Sequence, residues 1–332
     1  MDAREVDMND TKTSVQVSVV VPVYNEEESV DMLCAKLHEA LSGIGRTYEI
    51  LLIDDGSSDA TWSRLSELSR KIPCLRIIRF RRNFGQTAAM SAGFDFARGE
   101  VIVTLDADLQ NDPKDIPKLL DRVDQGFDVV SGWRKDRKDA FINRRLPSIL
   151  ANALISKITG VALHDYGCTL KAYRREVIKG VRLYGEMHRF IPALASWVGG
   201  SLDEVVVDHH ARQFGTSKYG ISRTIRVILD LVTVKFLLHY STGPIQMFGK
   251  IAAGFAVPAL LMLATLMGDR VFGWFDPYLI KRPFWVIAPL MLMAFAMQFI
   301  SMGLLAEMQI RTYHESQNKP IYVVRETLES PG

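Results

Sequence analysis

Asp106 and Asp108 stand two residues apart in Leu-Asp-Ala-Asp-Leu-Gln, residues 105–110. The apolar run Val101-Ile102-Val103-Thr104 precedes them and reads as a buried strand. Side chains at i and i+2 leave the same side of an extended backbone, so two carboxylates converge at the strand's C-terminal end. Gln110 can add a neutral oxygen. Hard oxygen donors of this kind suit Mg2+ or Mn2+ bridged to phosphate. Open α/β sheets also take their ligands at the C-terminal ends of strands. Asp-x-Asp alone is more often an acidic turn, and the surrounding pattern reverses those odds. Pro22-Val23-Tyr24-Asn25-Glu26, Asp54-Asp55-Gly56-Ser57-Ser58-Asp59 and Arg82-Asn83-Phe84-Gly85-Gln86 each close another strand-like run. In a parallel sheet these four tips share one rim, where a nucleobase, a ribose and a metal-bound diphosphate fit side by side.

The elements that must carry these tips alternate. Residues 17–23, 48–53, 75–80, 100–105 and 127–132 read as strands, rich in β-branched and apolar residues. Residues 26–41 read as a helix with Val30, Leu33, Leu37 and Leu41 on one face. Residues 58–69 and 87–97 follow as helices, and Pro113 opens another. The alternation predicts an α/β domain over residues 16–220 with a doubly wound, mostly parallel sheet. No Gly-x-Gly-x-x-Gly follows the first strand, which argues against an NAD-type site. Gly243, Gly249 and Lys250 are one residue too widely spaced for a phosphate loop, and Ile251 stands where a hydroxyl is required.

The chain has 332 residues, with 40 Lys+Arg against 38 Asp+Glu. That balance gives no reason to expect nucleic acid. Mean hydropathy is +0.06, and the apolar excess lies in the C-terminal third. Residues 251–268 and 283–306 are uncharged runs of 18 and 24 residues. At about 20 residues per crossing they predict transmembrane helices at 245–268, with Lys250 snorkelling, and at 283–306. Phe272, Trp274, Phe275 and Tyr278 lie between them, as interfacial aromatics do. Residues 141–160 and 221–242 mix apolar and basic side chains at helical spacing and read as interfacial segments. Residues 1–15 are expected to be a disordered tail without the apolar core of a signal peptide, and 307–332 a cytosolic tail. Arg223, Arg226 and Lys235 precede the first span, and Lys250 lies near its start. They predict an inner-membrane protein with its catalytic domain and both termini cytosolic. Cys34, Cys74 and Cys168 are scattered and read as reduced thiols.

The four tips, with Phe214-Gly215-Thr216-Ser217-Lys218-Tyr219, resemble the family 2 glycosyltransferases of GT-A fold. Within that family the chain is most similar to the polyprenyl-phosphate glycosyltransferases. These include dolichyl-phosphate mannose synthase and undecaprenyl-phosphate 4-deoxy-4-formamido-arabinose transferase, which Asp165-Tyr166-Gly167-Cys168-Thr169-Leu170-Lys171 also resembles. The resemblance implies transfer of a sugar, with inversion, from a nucleotide sugar, UDP-linked by preference, to polyprenyl phosphate. It implies nucleotide-sugar contacts from Pro22, Tyr24, Glu26, Asp55, Asp106 and Arg212. It implies Mg2+ or Mn2+ on Asp106, Asp108 and Gln110. It places Arg134, Arg144 and Arg145 toward the lipid phosphate, and Arg212 and Lys218 on a basic loop that closes over the phosphates. Asp108, Arg134 and Lys218 are the implied catalytic set. Partners are then the nucleotide sugar, polyprenyl phosphate and membrane lipids, with a homo-oligomer suggested by relatives. Some relatives carry Asp where this chain has Cys168, which removes a candidate base. A processive polysaccharide synthase is a second reading; its Gln-x-x-Arg-Trp motif is absent. A catalytically silent scaffold that binds nucleotide sugar is a third, and the intact Asp106, Asp108 and Lys218 argue against it.

Overall fold

The computed structural model describes residues 15–135, 146–179, 187–211 and 320–329, with single positions elsewhere. The chain forms two units, one of residues 1–234 and 320–332, the other of residues 235–319.

In the first unit, four parallel strands form the centre of the sheet. They are β1 (Val17–Val23), β2 (Tyr48–Asp54), β3 (Leu75–Phe80) and β4 (Val101–Thr104). β1 pairs with both β2 and β4, and β2 with β3. Their β-branched runs are buried on both faces because helices cover the sheet. The helices between them are α1 (Val30–Ser42), α2 (Thr61–Ser69) and α3 (Gln86–Phe96), each a crossover that returns the chain to the next parallel strand. α3 presses hard on β1: a Cβ on Gly93 would lie 2.1 Å from Val20 Cγ1. Beyond β4 a short 3-10 turn, Pro113–Asp115, leads into α4 (Ile116–Asp124) and β5 (Val129–Trp133).

The sheet is more mixed than the sequence suggests. α5 (Leu146–Thr159) leads to β6 (Lys171–Arg174), which inserts antiparallel between β4 and β5. A helical turn α6 (Arg175–Ile178), a 3-10 segment Met187–Phe190 and α7 (Ile191–Trp197) follow. β7 (Leu202–Val206) then pairs parallel to β5. β8 (Val324–Glu329) closes the other edge, antiparallel to β3, giving the order β7-β5-β6-β4-β1-β2-β3-β8. Residues 324–329, part of the expected cytosolic tail, are therefore a strand of this sheet. Tyr322 stacks on Phe80 at 5.1 Å and gives its hydroxyl to Asp95, which fixes the approach to β8.

In the second unit the described positions fall between 287 and 312 and are helical. Ile287, Met291 and Leu305 are each more than half exposed, and Met308 is exposed beside them. Gln298 is exposed and helical as well, so the described exposed positions are not all apolar. Among the described residues no helix is long and apolar enough to cross a membrane. The expected spans at 245–268 and 283–306 lie outside those residues except for isolated positions. So does the segment 221–242, except that Leu231 and Val234 are buried in the first unit. Of the segment 141–160, the part described is α5, with Ile155 buried and Leu154 exposed.

Candidate active site

The rim begins with two loops fastened to each other. After β1 the backbone turns at Asn25, φ +53°, whose N–H donates to Ser57 Oγ at 3.0 Å. Ser58 N–H donates back to Asn25 Oδ1 at 2.9 Å. Glu26 N–H donates to Thr61 Oγ1, and Ser29 Oγ donates to the Glu26 carboxylate at 2.6 Å. Glu26 thus holds the start of α1, while Tyr24 stands exposed on the rim beside half-buried Pro22. Gly56 follows at φ +68°, where a Cβ would lie 2.4 Å from the Arg82 carbonyl carbon. Only glycine lets the tip of β2 come this close to the loop after β3.

Asp55 uses that closeness. Its Oδ1 accepts from Phe84 N–H at 2.7 Å and its Oδ2 from Gly85 N–H at 2.9 Å. The carboxylate therefore shapes the Arg82–Gln86 loop. Burial pushes its pKa up to about 6, against the two N–H bonds that favour the charged form. Below that pH the carboxyl gains a proton and loses acceptor strength. Affinity for a nucleotide seated on this loop, tested with UDP, should accordingly fall as pH drops from 7 to 5. Asp55→Asn, which turns an amide N–H toward a backbone N–H, should raise the Kd of UDP about tenfold, or ~1.4 kcal/mol. Calorimetric titration against pH checks both, and a flat profile in the native chain would contradict this role.

Asp106 and Asp108 leave the end of β4 as their spacing predicts. Gln86 Nε2 donates to Asp106 Oδ1 at 2.7 Å, so the start of α3 holds the first carboxylate. Leu109 takes φ +58°, and Gln110 N–H donates to Asp108 Oδ1 at 3.2 Å. The Gln110 carbonyl accepts from His210 N–H at 2.8 Å, which ties the turn to the segment after β7. Burial, and then the charge of Asp108, push Asp106 up to about 6. Two carboxylates held together at a buried strand end fit a divalent cation, which would relieve their repulsion. Among the described residues no third Asp, Glu, His or Cys joins them as a metal cluster. One or two carboxylates completed by water and substrate phosphate is the pattern Mg2+ favours.

Beneath Asp106 opens a pocket of about 50 Å3. Its walls include Lys171 and Tyr173 of β6, and His188 and Arg189 of the 3-10 segment. Sequence reasoning assigned none of these four. β6 is only four residues long with a charged residue at each end, too short to show a period, and His188 lies about 100 residues in sequence from Thr87 of α3, with which it forms a hydrogen bond at 2.8 Å.

Arg134 lies at the end of β5. Its Nε and Nη2 donate to the two oxygens of Asp165 at 2.7 and 3.0 Å, a bidentate pair with both side chains largely buried. Much of the Arg134 charge is thus answered within the protein, and Asp165 is committed to Arg134 and to Gly167 N–H at 3.1 Å. Burial raises the Cys168 thiol to about 11, so it is protonated at neutral pH and is no base. The structure brings Pro22, Tyr24, Glu26, Asp55, Asp106, Asp108 and Gln110 to one rim, with Arg134 beside the pocket. Arg144, Arg145, Arg212 and Lys218 lie outside the described residues.

A family model described as glycosyl transferase family 2 matches residues 18–182. Dodecaprenyl-phosphate galacturonate synthase of Rhizobium johnstonii is 46% identical over 328 residues, covering 97% of this chain and 95% of that protein. The chain belongs to glycosyl transferase family 2. Undecaprenyl-phosphate 4-deoxy-4-formamido-L-arabinose transferase of Edwardsiella ictaluri is 38% identical, over 97% of each chain. Glucosyl-3-phosphoglycerate synthase from Mycobacterium tuberculosis superposes with a TM-score of 0.53 at 16% identity, over 68% of this chain and 80% of that one. Another crystal structure of that enzyme holds Mn2+, UDP and glucosyl-3-phosphoglycerate and superposes at 0.52. At such identity the likeness is one of fold, and the fold is the GT-A glycosyltransferase fold. This family 2 glycosyltransferase carries its acidic pair at the end of the central strand β4.

Proposed function

We propose that this glycosyltransferase moves a sugar from a UDP-sugar to undecaprenyl or a related polyprenyl phosphate at the cytosolic face of a membrane. The observation that carries this reading is the acidic pair at the end of β4, fixed by Gln86 and set above a pocket, in a chain matched end to end by two enzymes named for polyprenyl-phosphate products. Asp106, Asp108 and Gln110 would hold Mg2+ or Mn2+. The metal would offset the charge that builds on the departing diphosphate. The chain's own part is placement. Asp55 sets the loop on which the nucleotide rests, and Gln86 aims Asp106. Lys218 and Arg212 would supply further positive charge over the diphosphate, and Arg144 and Arg145 would meet the acceptor. With Asp165 bound to Arg134 and Cys168 protonated, neither is set up as a general base. None is needed: a phosphate monoester, with a second pKa near ~6, is largely a dianion at neutral pH. Attack from the face opposite the diphosphate inverts the anomeric centre. Purified protein with undecaprenyl phosphate and labelled UDP-sugars should give label in an organic-extractable, mild-acid-labile lipid. Label found only in polymer or in water-soluble sugar would count against this acceptor.

The membrane seat rests on two observations. The second unit exposes the large apolar side chains of Ile287, Met291, Leu305 and Met308. Its two ends, at residues 235 and 319, both continue into the first unit, where residues 324–329 are a sheet strand. A chain that leaves and re-enters one folded unit crosses a membrane an even number of times. Two spans joined across the far side meet that condition. A cysteine at Asp276→Cys should therefore react with an impermeant thiol reagent from the side opposite Ser330→Cys. Labelling of both from one side would overturn the two-span reading.

A further inference from the structure

We infer that Tyr322 is a positioning residue for the donor site, holding the Arg82–Gln86 loop through Phe80 and Phe84; this rests on the donor reading above and adds to that site a residue from the far end of the sequence. Residues 322–324 run beside the rim end of β3. Between Arg79 and Phe80 the pairing with β8 slips by one residue: Arg79 faces Glu326 and Phe80 faces Val324. Arg81 N–H then donates to the Val323 carbonyl at 3.1 Å, so contact between the two segments continues past the end of β3 toward the loop. Tyr322 lies flat against Phe80, with ring centroids 5.1 Å and planes 11° apart. Phe84 meets Phe80 edge-on, at 5.7 Å and 90°. Both are favoured geometries for aromatic pairs. Tyr322 and Phe80 are buried, and Phe84 is half-buried in the loop with the Arg82 guanidinium 4.4 Å from its ring centre. Three rings thus lead from the returning segment to the loop.

The loop needs such a hold. Phe84 N–H and Gly85 N–H both end on Asp55, and two bonds to one carboxylate leave the loop free to tilt about it. The Phe84 ring, lodged between Phe80 and Arg82, stops that tilt. Gln86, the next residue after Gly85, holds Asp106, so a tilt would shift the nucleotide's seat and the support of the acidic pair together. Phe80 can act as the stop only while its own ring is fixed, and Tyr322 covers its face. Tyr322 is fixed in turn by the Arg81–Val323 bond beside it and by its hydroxyl, which donates to Asp95 at 2.8 Å. Asp95 is exposed, so water can replace that hydroxyl at small cost. The ring and the hydroxyl are therefore separable: the ring positions the loop, and the hydroxyl adds stability alone.

The experiment is calorimetric titration of the full-length chain in detergent with UDP and Mn2+, at a temperature well below the Tm of every variant. Tyr322→Leu keeps an apolar side chain and loses the ring. It should raise the Kd of UDP about fivefold, the size of one aromatic contact. Tyr322→Phe should lower Tm yet bind UDP within about twofold of the native chain, because it keeps the stack. Phe84→Leu should weaken UDP about as much as Tyr322→Leu does. The double variant Tyr322→Leu/Phe84→Leu should then be little weaker than Phe84→Leu alone, since one path cannot be cut twice. Native UDP affinity in Tyr322→Leu at a lowered Tm would overturn the inference, leaving Tyr322 as a cover for Phe80. Losses that multiply in the double variant would overturn it too, because Phe84 would then act without Tyr322. A native chain that binds no UDP would remove the donor reading, and this inference with it.

Discussion

Asp108→Ala should lower turnover roughly a thousandfold, about 4 kcal/mol in the barrier, while the protein melts where the native chain does. Asp108 is half-buried at a turn, not in the core, so its loss removes a carboxylate without opening a cavity. Gln110 N–H loses an acceptor, a small cost at a partly hydrated position. On the proposed metal site the cation would lose one of two carboxylates, and the departing diphosphate would lose charge that balances it. Asp108→Asn should recover a little, because an amide oxygen is a weaker hard ligand. Excess EDTA should silence the native enzyme, and Mn2+ or Mg2+ should restore it. Full activity in EDTA, or an Asp108→Ala enzyme within tenfold of native, would show that the acidic pair serves another purpose.

The rim was legible in the sequence because each tip follows a β-branched run whose length and burial need no long-range information. Strands expected at 17–23 and 75–80 are found there, that at 48–53 ends one residue later, and that at 127–132 is shifted to 129–133. The pocket floor was not legible. β6 enters antiparallel between β4 and β5, pairings set by contacts some 70 and 40 residues apart in sequence, and this delivers Lys171 and Tyr173 under Asp106. β8 was missed for a related reason. Val-Arg-Glu-Thr-Leu-Glu alternates partly buried and exposed positions as an edge strand does, but its partner lies about 250 residues earlier. Arg134 was legible as a base near the site, and its commitment to Asp165 required the fold. The spans and the basic residues from 212 onward depend on sequence alone.

Glu49→Ala should be the mirror image of Asp108→Ala, a large loss of stability at a position with no chemical role. Glu49 is buried in β2, and its Oε2 accepts from Arg76 Nη1 at 2.6 Å. Its other oxygen accepts from the Ser18 hydroxyl of β1 and from Arg98 N–H at 2.7 Å, just past α3. Arg76 in turn donates to Phe96 O and, through Nε, to Glu329 of β8, both at 3.1 Å. One carboxylate therefore joins β1, β3, the end of α3 and, through Arg76, the strand that returns from the second unit. Truncating it leaves a guanidinium buried without its main counter-charge and several donors without acceptors. Removing one partner of such a pair costs about 3–5 kcal/mol. For a unit of this size that lowers Tm by on the order of 10 °C. Glu49→Gln, which keeps an acceptor oxygen but not the charge, should fall between. Saturating UDP should raise the Tm of native and Glu49→Ala protein by similar amounts, because the network lies at the opposite end of the strands from the rim. A Glu49→Ala chain as stable as native would mean that the returning strand is held by β-pairing alone. A variant of native stability that had lost UDP binding would mean that the network reaches the site.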